Sequence, residues 1–267
     1  MSDMLTNHNE DEHLKEKAEA FDAQQGVMEE IGKIRFEKYA ETLPNLPEAF
    51  DRADGRCSCM DGRIKVGKVR LPGSGIDTPR AELIKSLKDA GVKSVTWHPG
   101  CGAAAKKAVE MGFSANDADT VAQKFSEGVA DELGIPCIKL EVEGNHKERV
   151  CYCAKNCEFN PDGIEGLPNG FVVNDLDGIS KESFLKAVEL SLSIAFGDHG
   201  FGALFTEENP FVLVAIAKTQ EELEETKAEL MGVVNNFGKK VHIDGFVAPK
   251  AALKAEAADE ELDAAAQ

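Results

Sequence analysis

Residues 92–103 read Val92-Lys93-Ser94-Val95-Thr96-Trp97-His98-Pro99-Gly100-Cys101-Gly102-Ala103. Val92 to Trp97 has the texture of a buried strand. Gly100 and Gly102 let the backbone turn after it, and a helix follows from about Gly102 to Met111. Upstream, Gly91 supplies the C-terminal stop of another helix. That helix starts at Thr78-Pro79, with Thr78 as N-cap and Pro79 at the first helical position, and Leu83, Ile84 and Leu87 give it an apolar face. Val66–Arg70 reads as the strand before it. Downstream, a helix is expected from about Asp119 to Leu133 and a strand over Cys137–Val142. Phe184–Phe196 follows as a helix and Phe211–Ala217 as a continuous apolar strand. Thr219-x-x-Glu222 is a capping box for a helix to about Phe237, and Val241–Val247 is a last strand. Strands alternating with helices predict an α/β fold with a mostly parallel central sheet flanked by helices. No internal repeat is visible.

The ends differ from this core. In residues 10–41, Leu14, Ala18, Phe21, Met28, Ile31 and Phe36 recur at helical intervals, and Pro44 and Pro47 close the segment. Residues 250–267 are alanine and acid. The expected organisation is a helical arm over 1–50, a zinc-binding α/β core over 51–249 and an acidic tail over 250–267. The segment 144–170 holds three cysteines, Pro161 and Pro168, and reads as loop.

The 267 residues carry 48 acidic and 30 basic side chains, a formal charge of −18, which disfavours nucleic acid as a partner. No run approaches the roughly 18 apolar residues of a membrane helix. No signal peptide is visible in the polar first twenty residues, so the expected location is cytoplasmic. The seven cysteines are an odd number in a chain read as cytoplasmic. That argues against a disulfide framework and for metal binding or catalysis.

Two clusters carry chemistry. In Cys59-Met60-Asp61-Gly62-Arg63, an extended start would place residues 59, 61 and 63 on one face. There Arg63 can pair with Asp61 and keep the carboxylate ionised and oriented. In His98-Pro99-Gly100-Cys101, two ligands at the end of a strand can reach one metal ion. Cys59, His98 and Cys101 together make a Cys₂His set, and three protein ligands with an open fourth position is the pattern of catalytic zinc. Water on such a zinc becomes a nucleophile near neutral pH. Because two thiolates cancel the ion's charge, activity should rise above neutral pH.

These two motifs, Cys59-Met60-Asp61-Gly62-Arg63 and His98-Pro99-Gly100-Cys101-Gly102-Ala103, resemble those of the β-class carbonic anhydrases, with Val66–Arg70, Pro79–Ala90 and Val92–Trp97 between them. The resemblance covers residues 55–112 well, the arm loosely and the remainder as a general α/β pattern. It implies Zn²⁺ on Cys59, His98 and Cys101. It implies that Asp61 either accepts a hydrogen bond from zinc-bound hydroxide or takes the fourth position, with Arg63 controlling which occurs. It implies a lyase acting on a small-molecule substrate, carbon dioxide, to give bicarbonate. It also implies a homodimer or higher homo-oligomer, with the arm packed on a partner subunit. A zinc hydrolase of carbon disulfide or carbonyl sulfide, and a non-catalytic zinc-binding relative, fit the same ligands.

Other cysteines and histidines stay open. Cys57 reads as packing or as an alternative ligand, and Cys137 as core. His146, Cys151, Cys153 and Cys157 read as loop residues, as a second, structural zinc site or as a reversible thiol site. A thiol or iron–sulfur protein built on the 137–157 cysteines is a further alternative. His199 is a candidate proton shuttle or a turn residue, and His242 reads as structural.

Overall fold

The computed structural model describes residues 14–50, 54–197 and 200–249. His199 and the tail lie outside the described residues. In chain order the main elements are α1 (14–22), α2 (Gln25–Glu41), β1 (Arg56–Cys59), β2 (Val69–Leu71), α3 (Arg80–Asp89), β3 (Ser94–Trp97), α4 (Gly102–Glu110), α5 (Ala118–Leu133) and β4 (Cys137–Lys139). They continue with β5 (Val150–Lys155), β6 (Gly170–Asp175), α6 (Lys181–Phe196), β7 (Phe211–Ala217), α7 (Gln220–Val234) and β8 (Val241–Val247).

The fold is α/β, and the strands form two four-stranded sheets, β2-β1-β3-β4 and β6-β5-β7-β8. Every pairing is parallel. The single central sheet of the sequence reading is thus interrupted at one seam. There the Asn174 side chain, not a backbone carbonyl, accepts the Arg70 N–H at 2.6 Å, and Val172 N–H donates to Met60 O at 3.0 Å. Both sheets share one strand order, so the repetition absent from the residues is present in the topology.

The segment expected as loop contains β5, the strand between β6 and β7. Val150, Tyr152 and Ala154 pack with the arm residues Met28, Ile31, Phe36 and Tyr39. Cys151 and Cys153 face the opposite cluster with Phe184, Val188 and Leu213. A strand buried on both faces loses polar alternation, which is why it reads as irregular. Gly170–Asp175 escaped the sequence reading altogether.

The arm is covered by its own chain. Phe36 stacks on Phe246 with centroids 5.7 Å apart, Tyr39 Oη donates to Gly166 O at 2.7 Å, and Phe21 meets Phe201 edge-on at 5.0 Å. Most of its apolar face is therefore covered within the chain, while Leu14 stays exposed. Inside α2, Arg35 has φ 70°, so the helix breaks there. The Asp244 carboxylate accepts from Phe36 N–H at 2.9 Å and Arg35 Nε at 3.1 Å, which caps the second segment. At α3, Pro79 takes the N-cap position and no side chain caps, so the Thr78 expectation is shifted by one residue. Among the described residues, no helix is long and apolar enough to cross a membrane.

Candidate metal centre

In the first sheet β1 has β2 on one side and β3 on the other. Chain direction across the sheet reverses at that point, which opens a crevice at the carboxyl ends of β1 and β3. Cys59 ends β1, and His98 and Cys101 follow β3. Their donor atoms all lie within 4.8 Å of one another.

The two sulfurs are 3.8 Å apart. Two thiolates about 2.3 Å from one tetrahedral zinc stand ~3.8 Å apart, so the spacing fits a shared ion. His98 is 1% exposed, and its Nε2 has no hydrogen-bond partner. An orphaned buried nitrogen is costly unless something occupies it. His98 Nδ1 lies 2.9 Å from Pro99 O, which places the ring proton on Nδ1 and leaves the Nε2 lone pair bare toward the sulfurs. Orphan nitrogen, sulfur spacing and tautomer all fit a metal ion of the zinc type.

The surrounding backbone is built for these ligands. Gly73 N–H donates to Cys59 Sγ at 3.3 Å. Gly100, at φ 67°, turns the chain between His98 and Cys101, and its N–H donates to Asp119 Oδ1 at 2.8 Å. Cys101 occupies the N-cap of α4, and the neighbouring Cys59 together with burial pushes its thiol well above the usual range. The Cys101 thiol donating to Cys59 holds Cys59 well below the usual thiol range, against burial, which acts the other way.

Asp61 and Arg63 pair as expected, but not through an extended strand. β1 ends at Cys59, and residues 61–64 turn, with Ile64 N–H donating to Asp61 O at 2.9 Å. Arg63 grips the carboxylate bidentately, Nε to Oδ1 at 3.0 Å and Nη2 to Oδ2 at 2.7 Å, and its own N–H adds a third bond to Oδ1 at 3.0 Å. Burial pushes the Asp61 carboxyl up, but Arg63 and nearby His146 outweigh it and hold the pKa at about 2. Asp61 is therefore a carboxylate across the working range. Its Oδ2 lies 3.9 Å from His98 Nε2, and Asp61 falls outside the three-ligand group.

Buried Arg70 supports the turn from below. Its Nε donates to Cys59 O and its Nη2 to Asp61 O, each at 2.7 Å.

Two residues that the motifs did not reveal complete the site. His146 Nδ1 lies 3.1 Å from both oxygens of Glu148, and Glu148 Oε1 accepts from Gly62 N–H at 3.0 Å. His146 Nε2 stands 3.3 Å from Arg63 Nη2. Burial lowers the His146 pKa, but the bond to Glu148 and the Asp61 charge raise it above its ordinary value. Asp61, His146 and Glu148 form a second group whose donor atoms lie within 4.8 Å of one another. His146 is thus near the site but apart from the cysteines with which the sequence associated it.

Those cysteines do not gather around His146. Cys151 and Cys153 lie on one face of β5 with sulfurs 3.9 Å apart, and Cys157 packs in the arm-side cluster. Among the described residues neither metal-capable group includes any of the three. Cys57 is fully buried with its thiol against Ser74 O, and burial pushes it up to about 12, so it is packing. Cys137 is half-buried and packs against the core cluster of Cys57, Val95 and Val129. His242 is exposed on β8.

Comparison of the chain with protein-family profiles, with curated proteins and with solved structures finds no match.

Proposed function

We propose that the chain is a zinc-dependent enzyme that hydrates carbon dioxide reversibly to bicarbonate. One observation carries this reading. A bare His98 Nε2 and two sulfurs 3.8 Å apart face a carboxylate held ionised by Arg63. Zinc bound there supplies a water acidified enough to act as a nucleophile near neutral pH.

The chain's own residues do the rest. Cys59, His98 and Cys101 would supply three protein ligands to the ion, the number that separates a catalytic from a closed structural site. Asp61 offers an ionised acceptor beside the fourth position, and Arg63 fixes its orientation. Burial restricts what can enter, since Cys59, His98 and Cys101 are each 4% exposed or less. Cys59 and Cys101 share their cluster with Met60, Ile64 and Phe171. Such restricted access suits a very small molecule.

Zinc content and stopped-flow hydration of the wild type, Cys59→Ser and Asp61→Asn test the reading. The wild type should carry one zinc per chain and hydrate carbon dioxide faster at pH 8.5 than at pH 7. Cys59→Ser should lose zinc, and Asp61→Asn should keep zinc with lower turnover. A zinc-loaded wild type with no hydration at pH 8.5 sinks the anhydrase reading and favours a carbon–sulfur substrate or a binding role. Full zinc in Cys59→Ser sinks the ligand assignment.

A further inference from the structure

The second group, Asp61, His146 and Glu148, has the composition of a cation site but a different chemistry. Arg63 already sits inside it, 2.7 Å from Asp61 and 3.3 Å from His146, and its guanidinium repels a further cation. Unlike His98, His146 has a partner at each nitrogen. Its Nδ1 lies against Glu148 and its Nε2 against Arg63 Nη2, so the ring bridges the two side chains. The same short segment adds Gly144 O, which accepts from Arg63 Nη1 at 2.9 Å. Glu148, 3% exposed, is itself tied to the turn by Gly62 N–H.

The chain of bonds runs Glu148–His146–Arg63–Asp61 and ends 3.9 Å from His98 Nε2. An oxygen and a nitrogen on one tetrahedral zinc, each about 2.1 Å from it, stand ~3.4 Å apart. Asp61 Oδ2 is therefore only about half an ångström too far from His98 to share its metal. Arg63 is bonded to that carboxylate on one side and to segment 144–148 on the other.

We propose that Glu148 and His146 form a latch that keeps Arg63 clamped on Asp61, and so keeps Asp61 out of the metal's fourth coordination position. This rests on the metal-centre reading above. His146 and Glu148 are positioning residues, since neither belongs to the three-ligand group.

Azide binding to the full-length cobalt(II)-loaded protein, followed by visible absorbance, tests the latch, because azide enters an open fourth position and not one filled by a carboxylate. The wild type should show thiolate-to-cobalt charge transfer and bind azide. His146→Ala should keep one cobalt per chain and lose azide affinity at least tenfold. Glu148→Gln, closer in shape and a weaker acceptor, should lose it about threefold. Removing the intruding carboxylate should cure the defect, so His146→Ala/Asp61→Ala should bind azide within about twofold of Asp61→Ala. A merely structural role for His146 gives no such rescue. Unchanged azide affinity in both single variants overturns the latch and leaves the metal centre standing, as does a double variant as weak as His146→Ala. A wild type without the charge-transfer band overturns the metal centre and the latch with it.

Discussion

Gly62 is where two distant stretches of chain press together. A β-carbon there would meet Gly170 O at 2.7 Å and the Glu148 Cγ at 2.8 Å. The carbonyl is fixed at the start of β6 and cannot yield. Gly62→Ala should therefore cost about 1–3 kcal/mol through overpacking, which for a chain of this size lowers Tm by roughly 2–12 °C. A differential scanning calorimetry shift under 1 °C would refute the close approach. Arg70 makes a complementary case. It is 1% exposed and satisfies the carbonyls of Cys59 and Asp61. Arg70→Met keeps the volume and strands both oxygens, at about 2–4 kcal/mol, and should weaken metal binding because Cys59 loses its support. A metal-chelator competition assay showing wild-type affinity would contradict that second effect. The three metal-capable residues were legible in the sequence, because ligand chemistry imposes short spacings at strand ends. Glu148 and the true place of His146 were not. His146 reaches Arg63 across 83 residues of chain, and nothing local marks such a contact.

Elements whose character is set locally read well. β7 and β8 agree with the sequence reading, and Thr219 and Glu222 form the reciprocal cap of α7. The failures have tertiary causes. β5 is buried on both faces, so it shows neither alternation nor helical period, and its cysteines pass for ligands. β6 shares this burial and ends in a charge conflict. Burial pushes Asp175 up, Lys155 pulls it down, and Glu229 and Asp177 push again, leaving a pKa of about 6. The native state thus holds this proton more tightly than the unfolded chain, whose carboxyl titrates near ~3.9. Its stabilising contribution is complete below about pH 4, is lost as pH rises to about 6, and stays lost above that. Two pKa units correspond to ~2.7 kcal/mol, which partial solvent access reduces to about 1–2 kcal/mol. Asp175→Asn should therefore be more stable than the wild type at pH 7 by about that amount, and the gap should close by pH 4. Urea denaturation at both pH values checks this, and a gap that widens toward pH 4 would show the sign to be wrong.

The molecule is two runs of the same topology. Residues 56–139 and 150–247 each form a parallel sheet in which the first strand has the second on one side and the third on the other. Each sheet therefore has a crevice between its first and third strands. Only the first crevice has Cys59, His98 and Cys101 at its rim, whereas β7 leads into Lys218 and Thr219. The second run instead serves the first. Cys151, Cys153, Phe171 and Val173 share one cluster with Cys59, Met60 and Ile64, and the stretch before β5 supplies Gly144, His146 and Glu148 to Arg63 and Gly62. The arm is bound to the same half, since Arg149, next to Glu148, donates to Phe21 O at 3.0 Å with its guanidinium 3.5 Å from the Phe21 ring. The motifs thus lie in the first run while the support for their geometry lies in the second. A chain shortened to end at residue 143 keeps all three ligands and Asp61–Arg63, yet exposes the apolar side of the Met60–Ile64 turn and strips Arg63 of its latch. That chain should show no cooperative thermal transition and should bind zinc at least a hundredfold more weakly than the full chain. A cooperative melt together with one tightly held zinc per chain would prove the first run self-sufficient and the second an appendage. With the apolar cluster drawn from both runs, the shortened chain should instead remain uncooperative even with zinc in excess.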